Sequence, residues 1–120
     1  MTQNKVVFDV SLAINEGKLE AFQSIAEEMR AGTHKEAGAQ AYEWYFSKDR
    51  TRCHLIEIYS DANAVLVHMN GPAVQQLVPK LLEVSNLTGF EVFGDPGAQA
   101  TEILTKLGAE IFQFWTGISR

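Results

Sequence analysis

The segment Arg52–Tyr59 (RCHLIEIY) constrains the fold of this 120-residue sequence more than any other. Its β-branched and aromatic residues predict a strand, whose side chains point alternately to two faces. One face carries Leu55, Glu57 and Tyr59, and the other carries His54, Ile56 and Ile58. A sheet with one solvated face shows a polar outer side, and neither side of this strand is polar throughout. We therefore expect both faces of the sheet to be covered.

The other predicted elements indicate an α+β fold. The predicted strands are Lys5–Leu12, Ala41–Ser47, Arg52–Tyr59, Leu87–Phe93 and Ala109–Trp115. Predicted helices span 19–37, Ala62–Met69, Ala73–Val78 and Lys80–Val84, and a last one carries Ala100, Ile103, Leu104 and Leu107 on one face. The core order β-α-β-β-α-β is typical of ferredoxin-like domains, with helices on one face of an antiparallel sheet, and an additional helix and strand follow it. The simplest cover for the second face is the sheet of a second subunit.

Turn and capping residues predict where these elements begin and end. Asn15 is the expected N-cap of the first helix and Gly38 its C-terminal stop. Ser60 or Asp61 is expected to cap the next helix. Pro79 is expected to interrupt the helical region after Val78, because proline lacks the backbone N–H that a helix interior needs. Gly108 is the expected stop of the last helix.

Composition narrows the class of protein. The length suits one domain over residues 1–120, and the net charge of −5 without a basic cluster argues against nucleic acid and anionic membranes as partners. The N-terminal sequence is not a signal peptide, and no apolar run approaches the roughly 20 residues that span a bilayer. The single cysteine, Cys53, excludes an internal disulfide and suits a reducing compartment. We expect a cytoplasmic protein.

A spaced set of residues resembles the antibiotic biosynthesis monooxygenase (ABM) domain family. The set consists of Glu57, Tyr59, Asp61, Ala64 and His68, with Gly17, Glu20, Phe22, Glu36 and Gly38 upstream. The resemblance covers about residues 5–94, and a C-terminal extension, 97–120, goes beyond the minimal domain. It implies a homodimeric α+β barrel in which two ferredoxin-like sheets pack face to face. It also implies an oxygenase of quinols or phenols that uses molecular oxygen and needs no cofactor.

Glu57 and His68 are the candidate catalytic residues. A cofactor-free oxygenase must deprotonate its phenolic substrate, and a histidine that titrates near neutral pH can act as the base. The alternative for His68 is a partly buried histidine bonded to a backbone carbonyl. Glu57 is expected to be buried and therefore to need a partner, for which His68, Arg52 or a residue of the other subunit are candidates. A structural ion pair or hydrogen bond is the alternative to a base.

Tyr42, Trp44 and Tyr59 are the candidate substrate-binding residues, since aromatic rings with polar tips suit a flat ligand. Packing in the core or in a dimer seam is their alternative role. The sequence has no HExxH, CxxC, phosphate loop or nucleophile elbow, so we predict no metal site, and the resemblance implies that no cofactor is needed. Two further hypotheses stay open. One is a non-catalytic dimeric domain that binds a small molecule, and the other is a haem-binding or haem-degrading protein.

Overall fold

The computed structural model describes residues 4–120, which form one five-stranded sheet with helices on one face. The strands are β1 (Val6–Ile14), β2 (Ala39–Phe46), β3 (Arg52–Tyr59), β4 (Ser85–Phe93) and β5 (Glu110–Phe112). The helices are α1 (Leu19–His34), α2 (Ala62–Met69), a π-helical segment (Ala73–Leu77), α3 (Val78–Leu81) and α4 (Ala98–Lys106). The sheet order is β2-β3-β1-β4-β5, antiparallel except for the parallel pair β4 and β5. The predicted ferredoxin-like order is confirmed.

The alternation predicted for β3 is also confirmed. Cys53, Leu55, Glu57 and Tyr59 are buried beneath the helices, while Ile56 and Ile58 on the opposite face are only half-buried. Two clusters of apolar side chains fill the space between sheet and helices, one around Val6, Phe8, Val65 and Leu104, the other around Leu12, Phe22, Met29 and Leu81. The face of the sheet turned away from the helices has no cover within the described chain.

Two of the predicted helix boundaries are confirmed. Asp61 is the N-cap of α2, and its side chain accepts a hydrogen bond of 2.9 Å from the backbone N–H of Ala64. The last helix ends just before Gly108, which has a φ of +92° that favours glycine. These local signals fix the start of the helix that carries the candidate histidine and the end of the C-terminal helix.

The predicted N-cap and the predicted C-terminal end of α1 were both wrong. The N-cap is Lys18, while the side chain of Asn15 accepts a hydrogen bond from Asn86 on the neighbouring strand at 3.0 Å. The helix ends at His34 rather than near Ala37, because tight turns there bond the N–H of Glu36 to the carbonyl of Thr33. The residues after His34 therefore belong to a turn.

The predicted break at Pro79 was misplaced. The helical region changes from π to α at Val78, and Pro79 lies in the first turn of α3. The first backbone N–H groups of a helix have no intrahelical partner, so proline costs little at that position.

The last strand is shorter than predicted. It spans Glu110–Phe112 instead of Ala109–Trp115, because its partner β4 ends at Phe93, which pairs with Phe112. Beyond that pair no neighbouring strand remains to bond to, and the side chain of Trp115 is 90% exposed. No helix within residues 4–120 is long and apolar enough to cross a membrane.

Candidate active site

The structure brings Glu57 and His68 together beneath the helices. Glu57 projects from the helix-facing side of β3, and His68 lies in the last turn of α2. The Nε2 atom of His68 is 3.4 Å from the Oε1 atom of Glu57, and the two residues are only 3% and 4% exposed. That separation is longer than the roughly 2.7–3.2 Å of an ordinary N–H···O hydrogen bond. The two groups are therefore close neighbours with no hydrogen bond of ordinary length between them.

Glu36 is the partner of His68, a pairing that the sequence reasoning missed. The Nδ1 atom of His68 is 2.9 Å from Oε1 of Glu36, which lies in the turn between α1 and β2. A carboxylate can only accept, so Nδ1 carries the proton and Nε2 keeps its lone pair. Glu36 belongs to the residues that resemble the family pattern, and that was the only signal for it in the sequence. The pair fixes both the tautomer and the orientation of the ring.

Tyr59 holds the carboxyl group of Glu57. Its hydroxyl donates a hydrogen bond of 2.5 Å to Oε1 of Glu57, and its side chain is fully buried. Its ring lies against the imidazole of His68, with 5.0 Å between the two centroids. Tyr59 therefore lies behind Glu57 and His68 and supports both. It is not part of the cavity wall described below.

A close approach between Gly38 and Ala64 brings the start of β2 against α2. A β-carbon on Gly38 would lie 2.4 Å from the Cβ of Ala64, which is much closer than two carbon atoms can pack. Gly71 is tight as well, since a β-carbon there would lie 3.1 Å from Oε2 of Glu36. Small residues at these positions allow Glu36 to reach His68.

Burial keeps both members of the candidate pair uncharged. It raises the pKa of Glu57 to about 8, an effect that the nearby Glu36 carboxylate strengthens and the Tyr59 hydrogen bond opposes. Burial also lowers the pKa of His68, although the charge and hydrogen bond of Glu36 act against the change. The pKa of Tyr59 rises mainly because of burial, so its phenol stays protonated. At neutral pH the site holds a carboxylic acid beside a neutral imidazole.

A cavity of about 110 Å³ lies beside this pair. Its wall is almost entirely apolar, and the polar or ionisable side chains in it are Tyr42, Glu57 and His68. Three leucines of the wall are also partly exposed at the surface, namely Leu82, Leu87 and Leu107. They mark the mouth of the cavity, and Leu107 belongs to the C-terminal extension. The extension thus contributes to the entrance of the site.

The other predicted aromatic residues lie in different places. Tyr42 is in the cavity wall, 5.6 Å from the His68 ring between centroids, and its buried hydroxyl has no hydrogen-bond partner among residues 4–120. The adjacent hydroxyl of Thr33 is likewise unpaired, although it is close enough to lower the pKa of Tyr42. Trp44 is not in the wall. It lies two residues along β2 from Tyr42, and its ring packs edge-on against Phe22.

His54 is separated from this site by the sheet. It lies on the uncovered face, where its Nδ1 atom is 2.8 Å from Oδ1 of Asp9. Within residues 4–120, no group of three or more histidine, cysteine, aspartate or glutamate side chains is arranged to hold a metal ion. The chemistry that the arrangement itself supports is proton transfer between a neutral base and a neutral acid inside an apolar cavity.

Comparison with known proteins gives a family and a fold. The model of the family described as antibiotic biosynthesis monooxygenase matches residues 6–80. None of the curated protein sequences matches the chain. MupZ from Pseudomonas fluorescens has a TM-score of 0.84 at 24% identity, over 98% of this chain and 95% of that one. This similarity includes the C-terminal extension.

Two further solved structures share the core. A conserved protein of unknown function from Bacteroides thetaiotaomicron has a TM-score of 0.70 at 24% identity, over 77% of this chain and 98% of that one. SnoaB, a cofactor-independent oxygenase from Streptomyces nogalater, has a TM-score of 0.67 at 16% identity, over 79% of this chain and 96% of that one. At these identities the structural similarities show a common fold.

Proposed function

Since the chain belongs to the antibiotic biosynthesis monooxygenase family, we propose that it is a cofactor-independent monooxygenase of a small phenol or quinol. The observation that carries the proposal is the position of His68, 3.4 Å from Glu57, with both side chains in the wall of an apolar cavity. The similarity in fold to SnoaB, a cofactor-independent oxygenase, supports the same reaction class. Apolar surroundings also suit molecular oxygen, which is itself apolar.

In this proposal His68 begins the reaction as a base. Its Nε2 atom takes the proton of the substrate hydroxyl, and the Glu36 carboxylate at Nδ1 stabilises the resulting imidazolium. Glu57 donates a hydrogen bond to the phenolate oxygen, and Tyr59 holds Glu57 in place. The electron-rich anion then reduces oxygen. One atom of the oxygen molecule enters the ring and the other leaves as water. A phenol with a free ring position thereby becomes a quinone. The substrate itself supplies all the electrons for this reduction of oxygen.

The cavity also guides the choice of substrate. Its volume of about 110 Å³ is below the roughly 300–1,000 Å³ of sites for drug-sized ligands. A substrate of one or two rings, in contact with Tyr42, fits this volume better than a polycyclic one. The same volume gives no support to haem as a ligand. We leave Trp44 out of the proposed site and assign Tyr59 to support of Glu57.

A binding domain without activity is the second candidate. Enclosure of His68 and Glu57 by packing, with no cavity beside them, would argue against catalysis and leave this candidate in place. The cavity wall includes both residues, and this observation favours the enzyme.

We further propose that two copies of the chain pair through the uncovered face of the sheet. This face carries Val7, Ile56, Ile58, Phe93 and Phe112, the last two stacked with 5.4 Å between ring centroids. Half-exposed apolar side chains grouped in this way are typical of an interface between subunits. The extension would belong to the same domain, because β5 pairs with β4. A single buried cysteine suits the cytoplasm, where we place the protein.

Oxygen uptake with a panel of one-ring and two-ring quinols and phenols tests the function. Autoxidation is subtracted, and His68→Asn is compared with the wild type, because asparagine can still hydrogen-bond Glu36 but cannot act as a base. We expect protein-dependent uptake that falls about 100-fold or more in the variant, the usual contribution of a general base. Uptake that is absent on the whole panel would contradict the proposal.

A further inference from the structure

We infer that the site also catalyses an acid–base reaction that needs no oxygen, the removal and return of a proton next to the carbonyl group of a small cyclic ketone. His68 is the base, and Glu57 is the hydrogen-bond donor to the carbonyl oxygen. The inference rests on the same site as the proposed function. It depends only on the proton-transfer part of that site, so the two can be tested separately.

The spacing of the two groups fits a ketone. The Nε2 atom of His68 and Oε1 of Glu57 are 3.4 Å apart, too far for a good hydrogen bond to each other. In a ketone the carbonyl oxygen and the carbon that loses the proton are separated by two bonds. One small ligand in the cavity can therefore present its C–H to His68 and its oxygen to Glu57 at the same time.

Glu57 is equipped to donate a hydrogen bond. Its Oε1 atom accepts from Tyr59, the only hydrogen-bond partner of Glu57 within the described part of the chain. Burial keeps the carboxyl group protonated at neutral pH, since its pKa is raised to about 8. A carboxylic acid held neutral in an apolar site stabilises an enolate oxygen strongly, because donor and oxyanion meet where no water competes. Tyr42, with an unpaired hydroxyl, is a second donor at the same wall.

His68 is equipped to take the proton. Its Nδ1–H is bonded to Glu36, so its Nε2 lone pair lies on the side of Glu57 and the cavity. When Nε2 takes the proton, the C–H electron pair becomes the C=C bond of the enol and the carbonyl π electrons move to the oxygen. Glu57 hydrogen-bonds that oxygen, the proton on Nε2 exchanges with solvent, and the reverse step delivers the solvent-derived hydrogen to carbon. Nothing is oxidised or reduced.

The test is hydrogen–deuterium exchange of 2-indanone in D₂O under anaerobic conditions, followed by the loss of its α-proton NMR signal. We expect the wild type to accelerate exchange over buffer, and His68→Asn to reduce the protein-dependent rate by about 100-fold. Glu57→Leu should reduce it more than Glu57→Gln, whose amide can still donate. His54→Ala, on the other side of the sheet, is the matched control and should exchange at the wild-type rate.

Each outcome separates this inference from the proposed function. Oxygen uptake without anaerobic exchange would overturn the inference and leave the oxygenase in place. Exchange without oxygen uptake on any substrate would support the inference and remove the oxygenase. Exchange that persists in His68→Asn, with a circular dichroism spectrum showing a folded variant, would overturn the role of His68. If that variant does not fold, the comparison of Glu57→Leu with Glu57→Gln decides, and equal rates in both would overturn the inference.

Discussion

Glu36 and His68, two residues 32 positions apart in the sequence, form a hydrogen bond of 2.9 Å between the turn after α1 and the last turn of α2. The bond sets the tautomer of His68 and leaves its other nitrogen free on the side of Glu57 and the cavity. It also places a carboxylate where an imidazolium would form during catalysis. Glu36 is therefore a positioning residue that acts through His68.

Replacing Glu36 by glutamine should weaken the base without removing it. The amide oxygen can still accept from Nδ1, but the lost negative charge should lower the pKa of His68 further, because Glu36 acts to raise it. We expect activity to fall by on the order of 10- to 100-fold, and the acidic limb of its pH profile to move to lower pH. An NMR titration of the His68 ring checks the pKa directly.

The matched control for this substitution is Glu27→Gln. Glu27 is an exposed glutamate on α1, the helix that precedes Glu36, and its carboxylate pairs with Arg30 at 3.1 Å. It should leave the activity and the His68 titration unchanged. A Glu36→Gln variant with a wild-type His68 titration would show that the carboxylate has no influence on the ring.

The raised pKa of Glu57 should make the protein less stable as the pH rises. In the unfolded chain this group ionises near its ordinary pKa, whereas the folded state holds the proton up to about pH 8. Between these values the folded state binds the additional proton, so the free energy of unfolding falls with rising pH, by at most about 1.4 kcal/mol per unit. At pH values below this range, the contribution of the protonated Glu57 to the free energy of unfolding is fully present.

Urea denaturation from pH 5 to pH 9, of the wild type and of Glu57→Gln, checks this dependence. The difference between the two free energies of unfolding should decrease with pH up to about 8 and then level off. His68, whose pKa is lowered, contributes the opposite slope on the acidic side of its ordinary pKa in both proteins, so it cancels in the difference. A difference that is constant with pH would mean that Glu57 ionises normally in the folded state.

The sequence predicted on which face of the sheet Glu57 lies, but it did not predict where Glu36, another residue of the site, lies. Alternation along β3 decides which face a side chain occupies, so Glu57 could be assigned to the covered side without a structure. The position of Glu36 could not be predicted in this way. Glu36 lies in a turn after α1, where no repeating backbone geometry tells from the sequence which way a side chain points. The predicted helix extended past this residue. Its pairing with His68 is a tertiary contact.

Strand alternation predicts which face a side chain occupies but not whether it lines a cavity, as Trp44 illustrates. Strand alternation puts Trp44 on the same face as Tyr42, and the pairing of β2 with β3 agrees, since Tyr42 lies opposite Glu57 and Trp44 opposite Leu55. However, the helices that cover the face decide where a cavity remains. The edge of the sheet at Trp44 is filled by Phe22 of α1. Packing of this kind is not encoded in the periodicity of one strand.

Gly38→Ala should destabilise the protein by about 1–3 kcal/mol, the usual cost of overpacking a filled site. The added β-carbon would lie 2.4 Å from the Cβ of Ala64, so β2 and α2 must separate. The second substitution Ala64→Gly should restore part of the stability in the double variant. Gly32→Ala, inside α1, is the control, because the added β-carbon would lie at an ordinary 3.7 Å from the Cβ of Ala73.

Urea denaturation of the wild type and these three variants measures the effect. The control should be neutral or more stable by about 0.5–1 kcal/mol, since alanine favours a helix interior over glycine. Equal stabilities of Gly38→Ala and the wild type would mean that the contact at Ala64 is not tight in solution.

Leu107→Trp should narrow the mouth of the cavity. Leu107 lies in the cavity wall and is 51% exposed, so a larger side chain there can cover the entrance without disturbing the core. We expect KM to rise by about tenfold for a two-ring substrate and less for a one-ring substrate, with little change in stability. Ile103→Trp is the control, because Ile103 is exposed on the same helix but outside the wall. Equal effects of both substitutions would place the entrance elsewhere.

Ile58→Glu should separate the proposed dimer. Ile58 lies on the uncovered face of β3, opposite Val7 of β1, and is only half-buried within its own chain. In a dimer that packs this face against a second copy, each new carboxylate would be buried without a partner, which costs several kcal/mol. Val67→Glu is the control, since Val67 is 51% exposed on the helical side of the molecule.

Sedimentation equilibrium measures the mass of the three proteins at the same concentrations. The wild type and Val67→Glu should sediment as dimers, and Ile58→Glu as a folded monomer. The cavity of His68 and Glu57 lies on the other side of the sheet, so proton exchange by the monomer also shows whether one chain forms a complete site. A monomeric wild type would contradict the pairing through this face, and the apolar side chains on it would then need a different cover.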